Sequence, residues 1–197
     1  MNNTPGKREQ IIRAATELLL EENYANMKTA AIAKKAGIAE GTIYRYFASK
    51  REIFLEVLNS VTESLGSAFM LEVVPELGLK SNLNRLAEKF YLQQAEISGL
   101  YRILYKAFSE VEDPEIRKAL GQNYQQGLKV IQEILQRSLE GEKVKPSSER
   151  LVIVTMFVWG IGDMMWKNHM FETSLRVGKK IYTEFANTVY EMIVGGN

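Results

Sequence analysis

The sequence predicts an all-α chain of about nine helices. Apolar residues recur at helical spacing almost from residue 7 to the end. No stretch alternates apolar and polar residues as a half-buried strand does. Pro75, Pro114 and Pro146 stand where the helical pattern stops or restarts. A hydrophobic share of 46% is that of a folded domain with a core.

Ile11, Ala15, Leu18 and Leu19 form the stripe of a first helix, Lys7 to Glu22, broken at Asn23 and Tyr24. Thr29 caps a second through its side-chain oxygen, with Ile32, Ala33 and Ala36 on one face. Gly37 ends it in the left-handed conformation that lacks a Cβ penalty in glycine. Ile38 wedges between this helix and a third, Glu40 to Phe47, with Ile43 and Phe47 inward. Ser49 caps a longer helix carrying Ile53, Phe54, Val57, Leu58, Val61 and Leu65. It ends near Val73, because Pro75 biases the residue before it away from helix. Ser81 or Asn82 starts the next, through Leu83, Leu86, Phe90 and Tyr91. A break at Ser98-Gly99 precedes Tyr101 to Val111. Asp113-Pro114 opens a helix to Leu139, near Gly141. Pro146-Ser147 opens an apolar helix, and Thr173 or Ser174 caps the last, where Gly178, Ile181, Phe185, Val189 and Met192 line one side.

Residues 29 to 51 carry the chemistry. Two short helices joined by a glycine turn are the layout of a helix-turn-helix, whose second helix enters the major groove. Glu40, Gly41, Thr42, Tyr44 and Arg45 occupy its outer face. Lys28, Lys34, Lys35, Arg45, Lys50 and Arg51 stand against one acid, Glu40, between Tyr24 and Arg51, while the whole chain has a net charge of +1. Most charge clusters are solvated faces; this one coincides with the two-helix unit, which favours phosphate binding.

Thr42 and Tyr44 are the base-edge candidates. Arg45 suits guanine or phosphate, and the sequence does not separate them. Gly41 either lets the backbone approach DNA or serves helix initiation. Thr29 offers a hydroxyl and oriented N–H groups to phosphate. Lys50 sits near a helix start, where a cation opposes the helix dipole; a phosphate partner accounts for it. Glu40 is favoured by the dipole in a first turn, and that reading is preferred over an acceptor for a cytosine amino group.

The remaining composition excludes more than it adds. No cysteine means no disulfide, thiolate metal site or cysteine nucleophile, which suits a cytoplasmic protein. The N-terminus lacks a signal-peptide apolar core. The longest apolar run, Leu151 to Trp166, contains Asp163 and two glycines and is too short to span a bilayer, so no membrane partner is expected. His169 is the sole histidine and reads as a helix-end or surface residue, so neither a metal nor a cofactor is expected. No nucleophile–base pair or phosphate loop points to an enzyme.

The segment Ile32 to Leu58 closely resembles the TetR family of bacterial transcriptional regulators. The resemblance lies in Ile32-Ala33-Lys34-Lys35-Ala36-Gly37-Ile38, in Gly41-Thr42-Ile43-Tyr44-Arg45-Tyr46-Phe47, and in Ser49-Lys50-Arg51-Glu52. It implies phosphate contacts from Tyr46 and Lys50. It departs at Ala39, where the family often has serine or threonine; alanine loses a cap worth about 1 kcal/mol. The resemblance further implies a DNA-binding domain over residues 1–50 and a ligand-binding and dimerisation domain over 51–197. It implies a homodimer whose last two helices pair with the partner's, and release from a palindromic double-stranded operator when a ligand binds. For the interface this points to Ile153, Phe157, Gly160, Ile181, Phe185 and Val189.

Tyr91, Tyr101, Tyr105, Phe108, Tyr124, Trp159, Asp163 and Trp166 are the candidates for an effector pocket. Aromatics at helical spacing are more often plain core. Asp163 is the sharper clue, because a carboxylate in an apolar helix is costly unless paired or wet. The apolar, aromatic lining argues for a hydrophobic effector. The segment from Trp159 to Trp166 loosely resembles fatty-acid- or acyl-CoA-responsive members of the family, which implies a fatty acid or acyl-CoA; a hydrophobic drug or dye fits nearly as well. The leading expectation is thus a ligand-released repressor. The alternative is a DNA-bound interaction protein that acts on a protein partner with no small-molecule effector.

Overall fold

A computed structural model describes residues 6–171, 173 and 177–195. Among them the chain is all-α, as expected, with no strand. The helices are α1 (Lys7–Glu21), α2 (Thr29–Ala36), α3 (Glu40–Ile43), α4 (Lys50–Met70), α5 (Gly78–Leu92), α6 (Gln94–Ala107), α7 (Pro114–Ser138), α8 (Ser148–Met170) and α9 (Lys179–Val194). Two 3-10 turns, Pro75–Leu77 and Phe108–Glu110, join them. Contacts divide the chain into two compact units, Met1–Thr62 with Gly99–Asn123, and Glu63–Ser98 with Tyr124–Asn197.

In the first unit, Ile11, Leu19, Met27, Ile32, Ile43, Phe47, Phe54 and Leu58 are each at most 1% exposed. Each such side chain contributes about 1.5–3 kcal/mol by burial. The helix starts follow side-chain chemistry. Ser49 accepts from Glu52 N–H at 3.2 Å while the Glu52 carboxylate accepts from Ala48 N–H at 2.6 Å, a reciprocal box at the head of α4. Asp113 accepts from the N–H groups of Glu115 and Ile116 and opens α7.

Several boundaries differ from expectation. Lys28, not Thr29, is the cap of α2, because the Thr29 hydroxyl is spent elsewhere. Helix α3 is one turn; Tyr46 and Phe47 N–H then bond to Ile43 O as a turn that still buries Phe47. Helix α6 runs through Ser98-Gly99 without a break. The Ser98 hydroxyl donates back to Gln94 O at 2.6 Å, and a Cβ on Gly99 would stand 3.6 Å from Leu20, ordinary contact.

In the second unit, α5 starts at Gly78, earlier than Ser81 or Asn82. The fully buried Asn82 instead closes the preceding loop, bonding both N–H and C=O of Val74 at 2.9 Å. Ser147 caps α8 by accepting from Arg150 N–H. Gly178 is the cap position of α9, in place of Thr173; Ser174 lies outside the described residues. The core joins Leu79, Leu83, Leu135, Val154, Met165, Tyr182, Ala186 and Ile193. Along α9 the buried stripe is Tyr182, Ala186, Val189 and Ile193, about one residue round from the expected one, so Ile181 points outward.

Candidate nucleic-acid interface

Gly37 takes φ +66°, and the Ile38 N–H closes the helix end onto Ala33 O at 3.0 Å. Ile32, Ile43 and Phe47 are buried, which turns α2 and α3 about a common apolar contact, with Ile38 half-buried beside it. The Arg8 guanidinium lies 5.0 Å from the centre of the Phe47 ring and pairs with Glu56 at 2.9 Å. What remains outward is Gly41, Tyr44, Arg45 and Tyr46, all exposed, with Thr42 half-buried. Among the described residues a Cβ on Gly41 would meet nothing within 4 Å, so no contact there requires glycine.

Three of the expected DNA-binding side chains touch one another. The Thr29 hydroxyl donates to Glu40 Oε1 at 2.6 Å, and Thr29 Oγ1 lies 3.3 Å from the Tyr44 hydroxyl. This joins the start of α2 to the reading helix. The Glu40 carboxylate thus reaches across to α2, and among the described residues it makes no ion pair.

The six basic residues divide into two groups. Lys35 pairs with Glu17 at 3.5 Å and Glu21 at 3.9 Å. Arg51 pairs with Asp113 and, at 3.0 Å, with Glu115; these acids hold its guanidinium above its ordinary pKa. Lys50 donates to Tyr24 O at 2.9 Å and Ala25 O at 3.4 Å, with its ammonium 4.3 Å from the Tyr24 ring centre. Lys28, Lys34 and Arg45 make no ion pair among the described residues, and Lys50, held by two carbonyls, pairs with no acid there either.

Sequence reasoning missed Lys106. Its ammonium donates to Leu19 O at 2.7 Å, Leu20 O at 3.2 Å and Glu22 O at 2.9 Å, tying α6 to the end of α1. Burial, then the charge of Arg102, lower its pKa. No local pattern announces such a bond, because its partners are carbonyls more than eighty residues away.

The expected pocket residues fall in both units. Tyr101, Tyr105 and Phe108 belong to the first, where Tyr105 and Phe108 meet edge to face at 5.7 Å and Phe108 is exposed. Tyr91, Tyr124, Trp159, Asp163 and Trp166 belong to the second. There Tyr124 meets Trp159 edge to face at 5.1 Å, Tyr91 meets Tyr182 at 5.6 Å, and Trp166 is 1% exposed. Asp163 pairs with Lys167 one turn on at 2.6 Å, yet burial raises its pKa above the usual carboxylate value. Tyr182, which the sequence did not single out, is 2% exposed, and its hydroxyl makes no hydrogen bond among the described residues.

Of the expected interface residues, Ile153, Gly160 and Ile181 are exposed. Phe157 and Phe185 are half-buried with rings 5.7 Å apart, and Val189 is a core residue at 1% exposure. Val152, Met156 and Met164 extend the exposed apolar face of α8. No helix among the described residues is long and apolar enough to cross a membrane, and no group of three or more potential ligands could hold a metal there.

Residues 11–57 match the family model described as bacterial regulatory proteins, tetR family. The chain is 31% identical over 156 residues to the nucleoid occlusion factor SlmA of Vibrio cholerae, covering 77% of this chain and 78% of that one. It is 23% identical over 187 residues to the fatty acid metabolism regulator protein of Bacillus subtilis, covering 95% and 93%. The fold superposes on the crystal structure of the transcriptional regulator FadR from Bacillus subtilis in complex with stearoyl-CoA, with a TM-score of 0.64, 20% identity, and coverage of 95% and 98%. The two-helix reading unit, the all-helical remainder and the similarity along most of the chain agree: this protein belongs to the TetR family of bacterial regulatory proteins.

Proposed function

We propose that this DNA-binding regulator is a ligand-released repressor. As a homodimer it occupies a palindromic operator through its two α2–α3 units, and an apolar effector of the fatty acyl class releases it. In this reading residues 1–50 read DNA and residues 51–197 sense the effector and dimerise. The observation that carries the ligand class is the extent of one similarity. The match to the fatty acid metabolism regulator spans 95% of the chain, and a structure of that kind holds stearoyl-CoA. Aromatic and methionine side chains in the larger domain suit an acyl chain. The exposed apolar face of Val152, Ile153, Met156 and Met164 on α8 suits a second copy of the chain.

The test is fluorescence anisotropy with duplex DNA from upstream of the protein's own gene, with and without stearoyl-CoA. Tight, salt-sensitive binding abolished by stearoyl-CoA is the expected result. Binding that ignores every apolar ligand overturns the effector. One observation favours a second reading, a DNA-bound protein acting on a protein partner. The identity to the nucleoid occlusion factor of Vibrio cholerae is 31%, above the 23% to the fatty acid regulator, over a shorter span. That reading predicts many genomic sites and no release by small molecules.

A further inference from the structure

The geometry points to Glu40 as a specificity-determining residue that accepts a hydrogen bond from an exocyclic amino group in the major groove, oriented by Thr29. The inference rests on the DNA-binding role of the α2–α3 unit and deepens it.

A glutamate in a first turn is ordinarily explained by the helix dipole. Here that account is incomplete, because Oε1 is taken by the Thr29 hydroxyl of a neighbouring helix at 2.6 Å. A hydroxyl has one proton to donate. Once it goes to Glu40, Thr29 has only lone pairs left and offers no hydroxyl proton to a phosphate. The bond does something else: it fixes a flexible side chain in one orientation, with Oε2 and the remaining lone pairs of Oε1 free to accept. Tyr44, at 3.3 Å from Thr29 Oγ1, extends the same chain of groups along the reading face. Gly41 next to it has open space where a side chain would stand, so no described residue on that flank blocks a base edge.

Charge makes the case sharper. A carboxylate with no cationic partner among the described residues, in a segment otherwise rich in lysine and arginine, repels phosphate in every DNA sequence. It is offset only where DNA returns a donor. In the major groove those donors are the amino groups of cytosine N4 and adenine N6, and glutamate is the acceptor matched to them. Guanine and thymine present acceptors at the corresponding place, so they leave the carboxylate facing lone pairs.

The experiment is selection from random-sequence duplexes with the full chain and with Glu40→Ala, Glu40→Gln, Thr29→Ser and Thr29→Val, each pool being sequenced. The full chain is expected to enrich a motif with cytosine or adenine at one position of each half-site; which of the two appears identifies the amino group. Glu40→Ala is expected to lose that one preference, roughly tenfold, and keep the others. Glu40→Gln is expected to shift it toward adenine, whose N6 and N7 match an amide. Thr29→Ser keeps the preference, and Thr29→Val weakens it without changing affinity for random DNA. An unchanged motif with tighter binding to every duplex in Glu40→Ala overturns the proposal, leaving a dipole-favoured glutamate. Uniform weakening with a smaller salt slope in Thr29→Val overturns the positioning role and places that hydroxyl on a phosphate. Failure of the full chain to enrich any motif is a different result: it overturns sequence-specific DNA reading itself.

Discussion

Lys50 donates its ammonium to the backbone carbonyl of Tyr24 at 2.9 Å and lies over the face of the same residue's ring, 4.3 Å from its centre. The loop after α1 is thereby tied to the head of α4. An ammonium carries three donors, and the carbonyls of Tyr24 and Ala25 use two of them, which leaves one for DNA. Lys50→Ala is therefore expected to act twice. Loss of a charged hydrogen bond and a cation–π contact lowers stability by about 1–3 kcal/mol, visible as a lower melting temperature. Affinity for operator and random DNA falls together, with the salt slope reduced by about one unit. A lower melting temperature with an unchanged slope would make Lys50 a brace only.

Gly127 of α7 packs directly against the Trp159 indole of α8. A Cβ on Gly127 would clash with Cζ3 of the Trp159 indole and stand 2.8 Å from Cη2, so the ring occupies the space a side chain would need. Gly127→Ala gains up to about 1 kcal/mol of helix propensity but displaces the ring, which costs about 1–3 kcal/mol. The net expectation is a less stable protein with altered tryptophan fluorescence. Trp159→Leu in the same chain is expected to recover part of the loss, because the clash is removed. A double-mutant cycle by chemical denaturation measures that coupling. Additive effects would show that the two residues do not share the cost.

These residues also show what the sequence made legible. Periodicity, Gly37, Ser49, Asp113 and Ser147 encode helices and their ends locally, because a cap and its N–H partners lie within one turn. Ser98-Gly99 reads as a break by the same local logic, but the serine hydroxyl folds back on its own helix and the glycine accommodates Leu20. Helical spacing puts Glu40, Gly41, Thr42, Tyr44 and Arg45 on the reading face, and the resemblance adds Tyr46. The bond between Thr29 and Glu40 has no such local signal, since the two are eleven positions apart on different helices. Lys106 and Tyr182 were invisible for the same reason: their environments are made by distant segments. On α9, apolar residues on more than one side left the direction of the buried face open to a one-residue error, and tertiary packing chose Tyr182 over Ile181.

Ile153 tests the face of α8. It is 58% exposed, with Val152 beside it and Met156 about one turn on, a contiguous apolar strip on a helix otherwise packed into the core. Ile153→Glu places a charge in any interface formed there and leaves the core untouched. On the proposed homodimer, sedimentation velocity is expected to show the unaltered chain as a dimer and the variant as a monomer. Operator affinity is expected to fall roughly tenfold or more, because each half-site then binds alone. A dimer of unchanged stability would move the interface elsewhere.

Asp163 sets a pH dependence whose sign follows from its surroundings. Burial raises its pKa above the ordinary 3.8, even though Lys167 stands 2.6 Å away, so desolvation outweighs pairing. An acid with a raised folded pKa holds its proton more tightly folded than unfolded. Its contribution is full below the unfolded value and is lost as pH rises through the folded one. Asp163→Asn removes that proton exchange. The variant is therefore expected to match the unaltered chain near pH 3 and to gain on it as pH rises past 4. The gain stays small, under about 4 °C in melting temperature, because both partners are about a third exposed and such pairs contribute little. Thermal melts across this pH range decide it. If the unaltered chain instead gains on the variant as pH rises, the ion pair to Lys167 is the stronger effect and the carboxylate is a stabilising group.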